Sequence, residues 1–188
     1  METIPNNPNL IIDSEIESGG FGSLYKVRDT NDNNIYTLKR IKIINNNIMD
    51  NQNEINIIKN LDSEYIVKYY DSFQDGNNFY IVMEYCDNSD FYNFIKEHKE
   101  NNKLIDEKII FEIINNKCHG LKEIHNKKII HRDLRPKNVF MNKNNKIKIG
   151  DFGISKELIN REYATSKKGD MAYIAPEMLQ EAKYNNKE

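Results

Sequence analysis

The sequence predicts an α+β protein with its strands gathered early and its helices late. Two observations predict it. Apolar runs broken by Gly, Asn and Asp turns fill residues 10–84, and a long run at helical spacing covers 106–125. A third observation concerns chemistry: Asp133 and Asn138 stand within 131–138, and Asp151 follows at 151–153.

Bulk properties narrow the classes. A chain of 188 residues fits one domain, or one large and one small lobe, and is long enough to bury a core. The formal net charge is −2, with Lys and Arg spread along the chain, so neither a nucleic-acid nor a membrane partner is read. Met1 to Leu10 has no basic stretch leading into an apolar run, and no apolar stretch spans a bilayer. Cys86 and Cys118 read as reduced thiols without a disulfide, which places the chain inside the cell, in the cytoplasm.

Residues 1–9 carry two prolines and three asparagines and read as a flexible lead-in. Leu10–Glu17 and Leu24–Asp29 read as strands around Ser18-Gly19-Gly20-Phe21-Gly22-Ser23, a glycine-rich hairpin that lets backbone N–H groups approach phosphates. By itself the hairpin is equally an ordinary turn. Ile35–Ile43 is a third strand. Met49–Leu61 reads as a helix, with Ile55, Ile58 and Leu61 at helix spacing. Ile66–Gln74 and Phe79–Glu84 flank Asp75-Gly76-Asn77-Asn78, a hairpin signal.

Phe91–His98 reads as a short helix capped by Asp87 or Ser89. In the long helix Asp106–His125, the residues Ile110, Ile114, Cys118, Leu121 and Ile124 lie near one face, so Cys118 reads as core and His125 as structural. Ile147–Ile149 reads as the partner strand of the segment around Phe140.

The chemistry sits in His131-Arg132-Asp133-Leu134-Arg135-Pro136-Lys137-Asn138 and in Asp151-Phe152-Gly153. Asp133 can accept a proton from a hydroxyl, while Asn138 and Asp151 offer the hard oxygen ligands that Mg²⁺ requires. His131 reads as a buried scaffold residue. These motifs, with strand-like sequence between them, resemble the eukaryotic protein kinases. The resemblance covers about Leu10 to Leu179.

It implies a bilobal protein-kinase-like fold. An N-lobe of about 10–84 would hold an antiparallel sheet and one helix, a hinge would run over 84–87, and residues 88–188 would form a partial, mainly helical C-lobe. ATP and Mg²⁺ are the implied cofactors and a protein hydroxyl the implied acceptor. Tyr36-Thr37-Leu38-Lys39 would place Lys39 on the α- and β-phosphates, and Glu54 would pair with Lys39, although a solvated Lys and a surface Glu are the plainer readings of each alone. Ile16, Gly19, Gly20, Phe21, Gly22, Leu24, Thr37, Met83, Glu84, Cys86, Asp90 and Phe140 would line the nucleotide, with Met83 as gatekeeper. Asn138 and Asp151 would hold metal. Ile58, Tyr69, His131 and Phe152 would stack as a spine.

In the activation segment, Arg132 implies a phosphate acceptor pocket, with Thr165 and Ser166 as phosphorylation sites and Tyr163 a weaker one. Tyr173-Ile174-Ala175-Pro176-Glu177 and Pro136 have the Ser/Thr-kinase form. The stretch 149–153 and the hinge look similar to the kinases of the α subunit of eukaryotic initiation factor 2, and Tyr69–Phe73 to the NIMA-related kinases.

The departures from the family pattern are informative. Glu17 stands where the first Gly is expected, and Thr37 where Ala is. Arg135 replaces a phosphate-contacting Lys, and Asp170 replaces a Thr that bonds both that Lys and Asp133. An Arg135–Asp170 ion pair is expected. The competing outcome is that Asp170 crowds Asp133 or diverts Arg135. A nucleotide-holding pseudokinase or a truncated product without activity are the alternatives to a transferase. The apolar faces of 106–125 and 173–179 are expected to be exposed, which implies a partner protein over them or an aggregation liability.

Overall fold

The computed structural model describes residues 2–4, 6–19, 22–43, 48–142, 146–158, 170–179 and 184–185. Gly20, Phe21, Tyr163, Thr165 and Ser166, all named above, lie outside the described residues. The chain divides into two compact units: residues 1–59 with 68–85, and residues 60–67 with 86–188.

The first unit is built on β1 (Glu2–Ile4), β2 (Asn7–Gly19), β3 (Gly22–Asp29), β4 (Ile35–Lys42), β5 (Tyr69–Asp75) and β6 (Asn78–Glu84), with helix α1 (Ile48–Lys59). The strands form one antiparallel sheet in the order β1-β2-β3-β4-β6-β5. Residues on one strand alternate between faces. Tyr25, Leu38 and Val82 fall on one face by register, and Leu24, Lys39 and Ile81 on the other. The first face packs with Ile4, Leu10, Val27 and Tyr80 into a buried cluster. The hairpin read at 75–78 is present, with Asp75 opposite Asn78 and Gly76 at φ 54° in the turn.

Residues 1–9 are thus not a flexible lead-in where they are described. Glu2–Ile4 pairs with β2, Ile4 is 2% exposed, and the Asn6 amide donates to the Gln74 carbonyl and the Asp75 carboxylate. The short polar composition concealed this, because a lone Ile in a Pro/Asn-rich stretch carries no periodicity. At the glycine hairpin Gly22 has φ 121°, and a Cβ there would collide with the Arg40 carbonyl oxygen. Gly19 has no such neighbour.

The second unit holds α2 (Phe91–Glu100), α3 (Glu107–Asn126), α4 (Pro176–Leu179) and two small antiparallel sheets. One pairs β7 (Ile129–Ile130) with β10 (Lys156–Glu157), the other β8 (Val139–Met141) with β9 (Ile147–Ile149). Residues 60–67 belong here rather than to the N-terminal sheet, as the 10–84 boundary had it. Val67 N–H donates to the Ile149 carbonyl, Ile149 N–H donates to the Tyr65 carbonyl, and the Tyr65 ring stacks on His119 with centroids 5.1 Å apart.

Both helix starts are capped. Asp90, not Asp87 or Ser89, caps α2, accepting from Asn93 N–H at 2.8 Å, and Asp106 caps α3, accepting from Lys108 N–H at 2.7 Å. The buried stripe of α3 is Ile113, Gly120 and Ile124. Ile110, Ile114 and Cys118 are exposed, so the expected core face is corrected and Cys118 is not core. The helix is apolar on two sides. Gly120 decides between them: its missing Cβ admits Tyr65 and Ile149 of β9, which would otherwise be only 3.0 Å away. Around α4, Met178 is buried with Leu158 and Tyr184, whereas Tyr173 and Met171 are exposed.

Candidate active site

In the first unit Lys39 Nζ lies 2.7 Å from Glu54 Oε1. β4 supplies the lysine and α1 the glutamate, and both are buried, at 7% and 4% exposure. A buried charge persists only when paired, so this ion pair fixes α1 against the sheet. Thr37 sits opposite Met83 in the β4–β6 register, and Met83 is buried. Leu24 is opposite Lys39, while Ile16 is half exposed and Glu17 exposed on β2. Glu84 ends β6. Its N–H donates to the Lys68 carbonyl, and its carboxylate accepts from Lys68 N–H.

In the second unit Asp133 is 8% exposed and held from three sides. Asn138 Nδ2 donates to its Oδ2 at 2.7 Å and to its carbonyl at 2.8 Å. Asp170 N–H donates to its Oδ1 at 3.2 Å. Arg135 Nε is 3.2 Å from its Oδ2, close enough for charge attraction, yet among the described residues it is a buried donor with no aligned acceptor. Arg135 Nη1 donates to Asp170 Oδ2 at 2.8 Å, which is the expected ion pair. The contacts among Asp133, Asn138 and Arg135 were not anticipated as a set. The short spacing within one loop was their only sequence signal.

Oxygen donors for a metal fit this loop. With its amide nitrogen committed to Asp133, the amide oxygen is the side-chain atom Asn138 has left to offer a metal. Its backbone carbonyl accepts from Gly150 N–H, which brings the chain next to Asp151. Among the described residues no group of three or more His, Cys, Asp or Glu could hold a metal alone. Mg²⁺ typically uses one or two protein ligands together with substrate phosphates. Asp151 has φ 61° and Arg132 φ 68°, a conformation that non-glycine residues adopt at a cost of about 1–3 kcal/mol each.

His131 explains how these strained residues are held. Its Nε2 lies 3.0 Å from the Gly150 carbonyl and must carry the proton, while Nδ1 accepts from Asp133 N–H at 3.3 Å. Burial pushes the imidazole below its ordinary pKa, opposed by the Gly150 carbonyl and the Asp151 and Asp133 carboxylates. It is neutral scaffolding, and its ring lies 5.0 Å from Phe152. Of the expected spine, this pair stands in the second unit; Ile58 is buried and Tyr69 half-buried in the first. Arg132 donates to the carbonyls of Ile154 at 2.6 Å and Ser155 at 3.3 Å, so its guanidinium binds the start of the activation segment itself. Ser155 returns a hydrogen bond to the His131 carbonyl. Asp90 spends both carboxylate oxygens on Asn93. Phe140 pairs with Asp90, and its ring lies against Gly150, where any Cβ would strike it. Cys86 is a partly exposed thiol.

The family model for the protein kinase domain matches residues 11–188. The chain belongs to the protein kinase family. This kinase domain is 35% identical over 177 residues to the probable serine/threonine-protein kinase nek2 of Dictyostelium discoideum, covering 90% of the chain and 42% of that protein. It is 33% identical to the serine/threonine-protein kinase Nek1 of Mus musculus, covering 92% of the chain and 14% of that protein. It is 35% identical to the serine/threonine-protein kinase Nek11 of Homo sapiens, covering 94% of the chain and 28% of that protein. The chain therefore spans less than half the length of these relatives. The NIMA-related likeness read at Tyr69–Phe73 agrees with their names. No helix among the described residues is long and apolar enough to cross a membrane.

Proposed function

We propose that this kinase domain transfers the γ-phosphoryl group of ATP to a serine or threonine hydroxyl of a protein. The observation that carries the reading is the Asp133 carboxylate, buried beside Asn138 at 2.7 Å and oriented by two further groups. Asp133 would guide the hydroxyl and accept its proton. Lys39, held by Glu54, would orient the α- and β-phosphates, and Asn138 with Asp151 would hold Mg²⁺, which neutralises charge on the phosphates. Arg135 would face the transferred group. The remaining residues named for the nucleotide would line adenine and ribose, with Asp90 reaching ribose only by giving up part of its cap.

Catalysis of this kind rests on positioning and charge stabilisation more than on covalent chemistry. A hinge at about 84–87 with the C-lobe running on from it stands within this proposal, as do a cytoplasmic location and phosphorylation at Thr165 or Ser166. A protein partner over the exposed side chains Ile110, Phe111 and Ile114 of α3 belongs to it as well. No contact among the described residues favours a module that holds nucleotide without transfer.

The test is transfer of labelled phosphate from ATP·Mg²⁺ to the chain itself and to a generic protein acceptor, against Asp133→Asn. Labelling of phosphoserine or phosphothreonine that the variant lacks supports the proposal. Equal labelling, or none in either protein, refutes it.

A further inference from the structure

We infer that Asp170 is the positioning residue that orients Asp133, and that it works through its negative charge on Arg135. The inference rests on the proposed phosphotransfer and adds a residue to it. Asp170 makes contacts in two directions. Toward the loop, its N–H donates to Asp133 Oδ1 at 3.2 Å and its Oδ2 accepts from Arg135 Nη1 at 2.8 Å. Toward the segment that follows, its Oδ1 accepts from Ala172 N–H at 3.0 Å, and its carbonyl accepts from Tyr173 and Ile174 N–H at 2.9 Å each. Ile174 in turn packs on the buried cluster of Leu158, Met178 and Tyr184. One residue thus joins the proposed base to a turn anchored in a hydrophobic cluster.

The charge is the essential part. Arg135 lies between two carboxylates, with Nε 3.2 Å from Asp133 Oδ2 and Nη1 on Asp170. Its Nε is buried without an aligned acceptor, so Asp133 alone does not hold the guanidinium in place. Asp170 does so, with a charge-assisted hydrogen bond of ordinary length. The guanidinium so fixed keeps its positive charge beside Asp133 Oδ2, while the Asp170 N–H takes Oδ1.

Asp170→Asn isolates this role. The amide oxygen can still cap the turn at Ala172. In that orientation its NH₂ group faces the Arg135 donor, and two donors cannot bond; the flipped amide accepts from Arg135 only through a neutral oxygen and gives up the cap. The experiment compares the parent chain, Asp170→Asn, Asp170→Glu, Arg135→Ala and the Arg135→Ala/Asp170→Asn double variant, by steady-state transfer and thermal unfolding. A displacement of about 1 Å at a reacting group costs about 100-fold. The expected result for Asp170→Asn is a kcat about 10- to 100-fold lower, with KM for ATP within about threefold and the melting temperature nearly unchanged. Asp170→Glu, which restores the charge, recovers part of the loss. The double variant is no slower than the worse single, because both act through one contact.

Asp170→Asn within about twofold of the parent kcat overturns this inference and leaves the proposed function standing. So does a loss fully accounted for by unfolding, or one that Asp170→Glu does not relieve. A parent no more active than Asp133→Asn overturns both.

Discussion

Arg135 and Asp170 stand 35 residues apart in the chain, yet their charged atoms meet at 2.8 Å. Each departs from the residue type usual at its position in the family, and the two departures answer each other: a longer, forked cation meets a shorter anion. The competing outcome, an Asp170 that crowds Asp133, is not what the geometry displays. It is the Asp170 backbone N–H that approaches Asp133, while its carboxylate turns to Arg135. Arg135 is nonetheless drawn toward Asp170, and the price of that attraction is a buried Nε without an acceptor.

Breaking the Lys39–Glu54 pair from one side takes the 2.7 Å partner away from a buried charge. Lys39→Met or Glu54→Leu should each lower the unfolding free energy by about 3–5 kcal/mol, and the double replacement should cost less than either single. Urea unfolding of all three checks this. A double variant as unstable as the sum of the singles would show that the pair is not coupled.

Asn138→Ala removes an oxygen proposed for Mg²⁺ and both amide hydrogen bonds to Asp133. Transfer should fall by at least about 10- to 100-fold, and the Mg²⁺ concentration for half-maximal rate should rise. A Mg²⁺ titration of the rate reads both. An unchanged half-maximal concentration would exclude Asn138 from the metal's ligands.

His131 ties stability to pH. Its folded pKa lies below the unfolded value of about 6.5, so the unfolded chain binds the extra proton first. The contribution is therefore complete above about pH 6.5 and is lost as pH falls toward the folded pKa, by up to about 1.4 kcal/mol per unit. His125, lowered by partial burial, acts in the same direction. Denaturant unfolding between pH 7.5 and 5, set as about the accessible range, should show a shallower decline for His131→Phe than for the parent. Parallel curves would rule the assignment out.

Ile4→Ala should destabilise the first unit by about 2–4 kcal/mol, because Ile4 is 2% exposed and closes a cluster with Leu10, Tyr80 and Val82. A melting temperature unmoved by the change would mean that the strand at Glu2–Ile4 contributes no packing.

The sequence by itself determined most of the strands and helices and which chemical groups the loops carry. Alternating runs specify strands, Gly76 specifies a hairpin turn, and His131 to Asn138 with Asp151 supplies the side chains proposed as proton acceptor and oxygen ligands. Both ion pairs came from the resemblance to the protein kinases, since Lys39 and Glu54 read alone are a solvated Lys and a surface Glu. Tertiary structure decided what depends on a neighbour's shape. It chose the Ile113–Gly120–Ile124 face of α3 over Ile110, Ile114 and Cys118, since only Gly120 allows Tyr65 and Ile149 to approach. It turned residues 2–4 into a strand, because Ile4 gains a buried partner set that local composition does not encode. It gave the α2 cap to Asp90 and fixed the His131 proton on Nε2, each through a hydrogen bond whose partner is set by the fold. Periodicity and residue type are local quantities; burial and hydrogen-bond pairing are properties of the packed chain.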